Sequence, residues 1–249
     1  MSLKGHTPQM YLVIDQGNTL IKAAFFKGDE LLWVKNYTHF DGEELTGLFN
    51  NTSVIHGIIS SVSGEPGLIT EQLPEVKWIV LDHNTPLPVA NLYHTPESLG
   101  KDRLAGVVAA AKLHEGRDIL VIDAGTAITY DLINKNKEYL GGSITPGLNI
   151  RFKGLNTFTG RLPLYTPAEF NDLTGRDTYT SIMSGVMAGT LFEMQGFICK
   201  YEEFYPGLHV VITGGDAKYF DEKLKCNIFA SPNLVLIGLK LILQHNLEK

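Results

Sequence analysis

Cysteine is nearly absent from this sequence. Of 249 residues only Cys199 and Cys226 carry a thiol, and they form no CxxC pair. Two thiols cannot staple a fold of this size, and a reducing compartment is the expectation. Positive charge is also short: 21 Lys and Arg stand against 27 Asp and Glu, a formal charge of -6. That balance excludes the global field that attracts nucleic acid or an anionic membrane, so an anionic ligand must meet positive charge that is local. Long apolar runs are missing at both ends. Met10–Ile14 is interrupted by Asp15, and Leu234–Leu243 is short and carries Lys240, so neither is expected to span a bilayer or to form a signal-peptide core. The reading is a cytoplasmic protein with no nucleic-acid and no membrane partner, in which Met1–Gln9 is a pattern-free leader and Met10 a candidate native start.

Several catalytic signatures are missing too. The pair Gly100–Lys101 lacks the upstream glycine and the Ser or Thr of a Walker A loop, no GxGxxG follows a strand, and no GxSxG elbow exists. The eight histidines show neither HxxxH nor HExxH spacing, which leaves them as surface or structural residues rather than zinc ligands.

What is present is an ordinary globular composition, 44% hydrophobic and 19% charged, sufficient for one large domain or two small ones. Its most informative feature is a near repeat. Tyr11-Leu-Val-Ile-Asp15-Gln-Gly17-Asn-Thr19 is echoed by Leu120-Val-Ile-Asp123-Ala-Gly125-Thr126-Ala127, with the two aspartates 108 positions apart. A duplicated domain is implied. In each copy a Val/Ile-rich run ends in Asp-x-Gly and a second strand-like run follows, which predicts a β-hairpin. Further strands are expected over 31–37, 54–62, 78–81, 139–144 and 209–212. Helices are expected over 102–113, 147–158, 178–205 and 234–245. The division is placed at 10–115 and 116–249, with a hinge near Gly116-Arg117-Asp118. Each half reads as a mixed sheet carrying helices, and the cleft between them as the natural ligand site.

Asp15-Gln16-Gly17-Asn18-Thr19-Leu20-Ile21-Lys22 combines a strand-end carboxylate, a glycine that lets backbone approach closely, short hydrogen-bonding side chains and a lysine. These suit phosphate and metal-bound water. Alone, the same residues describe an ordinary hairpin turn; the second Asp-x-Gly-Thr favours the functional reading. Thr213-Gly214-Gly215-Asp216-Ala217 follows a strand and is read as a strand-to-helix turn open to a base or a phosphate. Leu99-Gly100-Lys101-Asp102-Arg103 opens an Ala-rich helix. An acid there is an ordinary helix cap, but an arginine in the first turn gains nothing from the dipole and points to an anionic ligand. Gly185 and Gly189 are read as permitting close helix approach, within the subunit or at a dimer seam.

The ordered set resembles the signature series of the type III pantothenate kinases, within the superfamily of sugar kinases, actin and heat-shock ATPases. It comprises Asp15-x-Gly-Asn-Thr-x-x-Lys22, Tyr93-x-x-Pro96-x-x-Leu-Gly100-x-Asp102-Arg103, Asp123-x-Gly-Thr-Ala-x-Thr-x-Asp131, Gly141-Gly-x-Ile-x-Pro146-Gly147, Thr159-x-x-Leu-Pro163, Gly175-x-x-Thr178 and Thr213-Gly-Gly-Asp-Ala217. The resemblance implies an α/β fold of duplicated actin-like, ribonuclease H-like domains, and ATP-dependent phosphorylation of pantothenate, the first step toward coenzyme A. It also implies that Asp15, Gln16, Gly17, Asn18, Thr19, Leu20, Ile21, Lys22 and Thr126 contact ATP, and that Asp123 holds a monovalent cation. Tyr93, Gly100, Lys101, Asp102, Arg103 and Thr178 would line the pantothenate pocket, with Asp102 as base, Mg2+ accompanying ATP, and a homodimer as the assembly. The sequence departs from the pattern at Asn156, Gly160 and Ile128. Two other readings stay open: another hydroxy-acid kinase or polyphosphate hydrolase of the superfamily, and a catalytically silent regulator. The glycine turns carry Asp15, Asp123, Asp131 and Asp216 but only Lys22, so a triphosphate calls for Mg2+ and a second, weaker cation such as K+ or NH4+.

Overall fold

The computed structural model describes residues 9–40, 44–45, 56–62, 64–224, 226 and 228–248. The expected start of a strand at 54–55 lies outside them. The chain forms two compact units: Met1–Pro88 with His94–Ala109 and Val235–Lys249, and Val89–Tyr93 with Ala110–Leu234. Both are discontinuous in sequence, where a single division at 115/116 was expected. Val89–Tyr93 is grouped with the second unit and the C-terminal helix with the first.

The first unit holds a five-stranded sheet built from β1 (Met10–Gln16), β2 (Ile21–Lys27), β3 (Glu30–Tyr37), β4 (His56–Ser61) and β5 (Lys77–Val80), in the order β3-β2-β1-β4-β5. β1, β2 and β3 are antiparallel neighbours, and β4 and β5 run parallel to β1. Leu12, Ile14, Ala23, Phe25 and Ile59 bury their side chains in one core with Leu73 and Val76. Continuous apolar runs such as Tyr-Leu-Val-Ile are what a central strand covered on both faces requires. A short helix α1 (Gly67–Thr70) precedes β5. Helix α2 (Lys101–Leu113) is almost wholly buried from Leu104 to Ala111, and its alanines let the C-terminal helix approach its backbone. Gly238 lies so close to the Ala105 carbonyl that a Cβ would overlap it. This is the close helix approach that the sequence suggested at Gly185 and Gly189, where added Cβ atoms meet nothing.

The second unit repeats the plan. The strands are β6 (Ala90–Asn91), β7 (Ile119–Ala124), β8 (Ala127–Ile133), β9 (Glu138–Pro146), β10 (His209–Thr213) and β11 (Ile228–Ala230), in the order β11-β10-β7-β8-β9-β6. Without the edge strand β6, this is the order and the sense of the first sheet, with β7 standing for β1 and β10 for β4. β6 and β11 are two and three residues long, too short for alternation to reveal. Helices α3 (Leu148–Phe158), α4 (Thr178–Met183) and α5 (Gly189–Phe204) cover this sheet. The helix expected over 178–205 is interrupted by a π turn at Ser184–Ala188 that holds Gly185. By length and composition the run Thr178–Phe204 would pass for a membrane span, and 44% of its most apolar window is buried inside the protein. Ile182, Met183, Met194 and Ile198 belong to the core of this unit. The last helix, α6 (Leu234–Leu247), buries Lys240, which pairs with Asp29 at 2.7 Å and lies over the Phe26 ring at 5.5 Å.

Candidate active site

In the first unit the predicted hairpin is present, with Asp15 directly across from Lys22 in the β1/β2 register. The turn closes through the Gly17 amide donating to the Leu20 carbonyl at 3.1 Å, which leaves Asn18, Thr19 and Leu20 exposed at its tip. A third strand completes the arrangement. β4 lies parallel to β1 with Ser60 beside Asp15, and the buried Ser60 hydroxyl donates to Asp15 Oδ1 at 2.7 Å. Sequence reasoning missed Ser60, because nothing local ties it to a residue 45 positions away.

Burial pushes the Asp15 carboxyl up, and the negative charge of Asp102 adds to the rise; the Ser60 hydrogen bond and the Lys22 charge oppose it. Asp102 therefore stands within electrostatic reach of the phosphate-type turn, as the expected division of labour requires. Its own Oδ1 accepts the Arg103 amide at 2.8 Å. An added Cβ at Gly100 would come within 2.6 Å of the same oxygen, so the glycine clears the approach to the carboxylate. Arg103 is buried at 8% exposure, where a guanidinium requires compensation. Gln16 Oε1 is buried with no hydrogen-bond partner among the described residues.

The second unit presents the matching turn with different surroundings. Asp123 sits opposite Thr129 on β8 and beside Thr213 on β10, the positions of Lys22 and Ser60. Glycines crowd this carboxylate. Gly214 has φ 94°, a left-handed conformation, and a Cβ there would overlap the Ala124 carbonyl and meet Asp123 Oδ1 at 2.5 Å. Gly147 packs onto the carbonyls of Gly125 and Thr126, with its amide donating to Thr126 at 3.2 Å. Thr126 is exposed at the tip. The turn at Gly214–Asp216 leads from β10 into a helix, as the strand-to-helix reading expected, and that helix is a single 3-10 turn of three residues, Ala217–Tyr219. Burial pushes the Asp216 carboxyl up, opposed by the charge of Lys218.

Of the residues expected to line a pantothenate pocket, Gly100, Lys101, Asp102 and Arg103 lie in the first unit and Tyr93 and Thr178 in the second. Thr178 is the exposed first residue of α4, behind a capping box formed by Asp177 and Thr180. Tyr93 stacks on Tyr139 with ring centroids 6.1 Å apart. Asp131, counted from sequence among the carboxylates of the turns, is 1% exposed and accepts the Tyr139 hydroxyl at 2.7 Å. The exposed negative charge is correspondingly lower. Asn156, a departure from the family pattern, donates to the Leu162 carbonyl at 2.8 Å and so holds the segment after α3.

Behind the Thr126 turn lies a network that sequence reading did not find. Glu193 on α5 accepts hydrogen bonds from Arg151, Thr145 and Tyr130, and Arg151 also donates to the Pro146 carbonyl at 2.7 Å. Burial alone would raise the Glu193 carboxyl, but the bonds from Arg151, Thr145 and Tyr130 hold it below its ordinary value. No spacing rule links positions 130, 145, 151 and 193.

Two copies of one sheet, each with an aspartate at the end of its central strand and a glycine turn beside it, define the class by its fold: the actin-like ATPase and sugar-kinase fold. Solved structures agree on the fold. A Campylobacter jejuni protein provisionally assigned to the Baf family of transcriptional activators is 23% identical and matches with a TM-score of 0.62 over 96% of this chain and 100% of its own. A Listeria monocytogenes protein provisionally named as an N-acetylmannosamine kinase is 16% identical, with a TM-score of 0.55 over 96% and 100%. Sequence narrows the class. The profile of the type III pantothenate kinases matches residues 11–200. The type III pantothenate kinase of Phocaeicola vulgatus is 46% identical over 95% of this chain and 99% of its own length. The chain belongs to the type III pantothenate kinases.

Proposed function

We propose that the protein transfers the γ-phosphoryl group of ATP to the primary hydroxyl of pantothenate, giving ADP and 4'-phosphopantothenate. The observation that carries the reading is the family match over residues 11–200, and the presence of Asp102 in the same unit as the Asp15 turn supports the assignment of roles. Asp102 takes the hydroxyl proton as the hydroxyl oxygen bonds to the γ-phosphorus, and the bond from that phosphorus to the β,γ-bridging oxygen breaks, leaving ADP. In such transfers the protein mainly positions the reactants and stabilises charge. Asp15 to Lys22 and Thr126 contact the nucleotide. Arg103 grips the pantothenate carboxylate with its planar fork, and Tyr93, Gly100, Lys101 and Thr178 line the substrate.

The strand-end carboxylate of Asp15 is a hard oxygen ligand that suits Mg2+ carried in with ATP. Bound there, Mg2+ would neutralise phosphate charge. Among the described residues no group of three or more His, Cys, Asp or Glu could hold a metal, which favours an ion held largely by the nucleotide's own oxygens. At Asp123 the carboxylate oxygen and the Ala124 carbonyl crowd one glycine, an all-oxygen environment that fits K+ or NH4+. Cytoplasmic location and a homodimer complete the proposal; the reduced thiols Cys199 and Cys226 favour the former.

The deciding experiment is ADP release measured over a panel of hydroxy acids. Pantothenate should be the preferred acceptor, and pantothenol, which lacks the carboxylate, should be a poor one. Equal turnover of pantothenol would remove the role given to Arg103, and no pantothenate-dependent release would remove the activity.

A further inference from the structure

We infer that Tyr139 and Asp131 form a buried brace that fixes the ring of Tyr93, making both positioning residues for pantothenate. The inference rests on the proposed reading that Tyr93 lines the pantothenate pocket.

Four observations converge on Tyr93, all within the second unit. Its segment is fastened to the sheet edge: β6 pairs parallel to β9 with Asn91 beside Tyr139, and the Leu92 amide donates to the Tyr139 carbonyl at 3.0 Å. The Tyr93 amide donates to the Asn91 side chain at 3.0 Å, turning the chain just beyond the strand. The Tyr93 ring then lies over Gly141, where an added Cβ would meet it at 3.4 Å, and against the Tyr139 ring at an interplanar angle of 15°. Finally Tyr139, fully buried, spends its hydroxyl on the buried carboxylate of Asp131.

This last pair makes little sense as a device for stability. An apolar pair of similar shape would fill the same space without desolvating a carboxylate, and such replacements are often neutral or stabilising. What a charge-assisted hydrogen bond adds is direction, because it fixes one orientation of the Tyr139 ring. An offset-stacked ring with a fixed partner is itself fixed. The strand geometry serves the same end. At the register shift after Leu132, Gly141 stays opposite Leu132 while Tyr139 falls opposite Ile133, and Leu140 is passed over. Tyr139 thereby shares a sheet face with Asp131, two residues before Ile133, within reach of its hydroxyl.

The test uses the purified full-length protein and four variants: Tyr93→Ala, Tyr139→Phe, Asp131→Asn and the double variant Tyr139→Phe with Asp131→Leu. Tyr139→Phe should raise the pantothenate KM about tenfold, equivalent to about 1.4 kcal/mol, leave the ATP KM within about twofold, and lower Tm by removing one hydrogen bond from the buried Asp131 carboxylate. Asp131→Asn, which retains an acceptor, should keep the pantothenate KM near that of the parent protein. The double variant removes both partners of that hydrogen bond and should lose less Tm than Tyr139→Phe while the pantothenate KM stays raised. That separation of Tm from KM is what a merely structural pair would not produce. If the double variant regains both, or if Tyr139→Phe moves the two KM values equally, the brace is overturned. An unchanged pantothenate KM in Tyr93→Ala would instead overturn the placement of Tyr93 in the pocket; a raised one, with the double variant at the parent value, overturns the brace alone.

Discussion

The two hairpins descend from one plan and hold their aspartates by different means. Asp15 faces Lys22 across its hairpin and takes a hydroxyl from Ser60 on the adjoining strand. Asp123 faces Thr129 and is walled by backbone at Gly125 and Gly214. Side chains confine the first carboxylate and backbone confines the second. A carboxylate backed by a hydroxyl and a lysine, with a second carboxylate in reach, has the makings of a reaction centre. One surrounded by carbonyls and glycines resembles the oxygen cage of a weakly bound cation. Under the proposed function, duplication supplied two equivalent turns and substitution at the lysine and serine positions separated their tasks.

The largest effect should come from the first turn's neighbour. Asp102→Asn keeps the shape of the side chain and removes the proposed base, and general-base contributions are typically about 10²- to 10⁴-fold. kcat should fall by that range with an unchanged far-UV spectrum, and near-normal turnover would put the base elsewhere. Next comes the second turn. With Asp123→Ala, activation by K+ or NH4+ at fixed ionic strength and fixed Mg2+ should disappear, at a cost of about 10- to 100-fold at saturating cation, the range seen when a metal's supporting groups are removed. Ser60→Ala should leave that cation response in place. If both variants lost it, the two turns would not be separable in function. A smaller effect tests the wall itself: Gly214→Ala combines a left-handed φ with overlap on the Ala124 carbonyl and should destabilise by about 1–3 kcal/mol, read as a lowered denaturation midpoint, with the Ser60 side of the molecule unaffected.

Legibility in the sequence follows the same line between local and distant. Both hairpins could be read because strand, turn glycine and return strand are contiguous, and the repeat at Asp15 and Asp123 exposed the duplication without structure. Helix α2 could be read from its run of Ala and Val, and the proposed site residues Gly100 to Arg103 from their place at its start. Ser60 could not be read, because its meaning arises from a parallel register joining β1 to β4. The same holds for Glu193 with Arg151, an ion pair between helices 42 positions apart, while Asp131 meets Tyr139 across neighbouring strands through a register shift that alternation does not announce. β6 and β11 are too short to carry a period. The π turn at Ser184–Ala188 inserts a residue's worth of winding that apolar spacing alone does not register. At Gly185 and Gly189 a familiar spacing was present without close packing inside the subunit, while the close contact within the chain, Gly238 on Ala105, had no spaced partner to announce it.

The smallest effect is thermodynamic and concerns Asp15 itself. Its carboxyl is raised chiefly by burial and further by Asp102, so folding favours the protonated form. For an acid raised in this way, the favourable contribution is complete below the ordinary carboxylate range and is lost as pH climbs through the raised value. Above that point an ionised Asp15 opposes folding, and the Ser60 bond and Lys22 offset only part of the penalty. Asp15→Asn, neutral at every pH and still able to accept from Ser60, should therefore be inactive and yet more stable than the parent near pH 7 to 8. Sites tuned for function commonly conceal a gain on the order of 1 kcal/mol, about 2–4 °C in Tm for a chain of this size. The gain should shrink as pH is lowered into the carboxylate range, where the parent's Asp15 also becomes neutral. Melting curves of Asp15→Asn and Asp123→Asn taken side by side across that range would show whether the penalty belongs to the repeat or to the first turn alone. A variant at Asp15 that is less stable than the parent at every pH would mean that Lys22 and Ser60 outweigh burial, and that the first aspartate is held comfortably rather than poised.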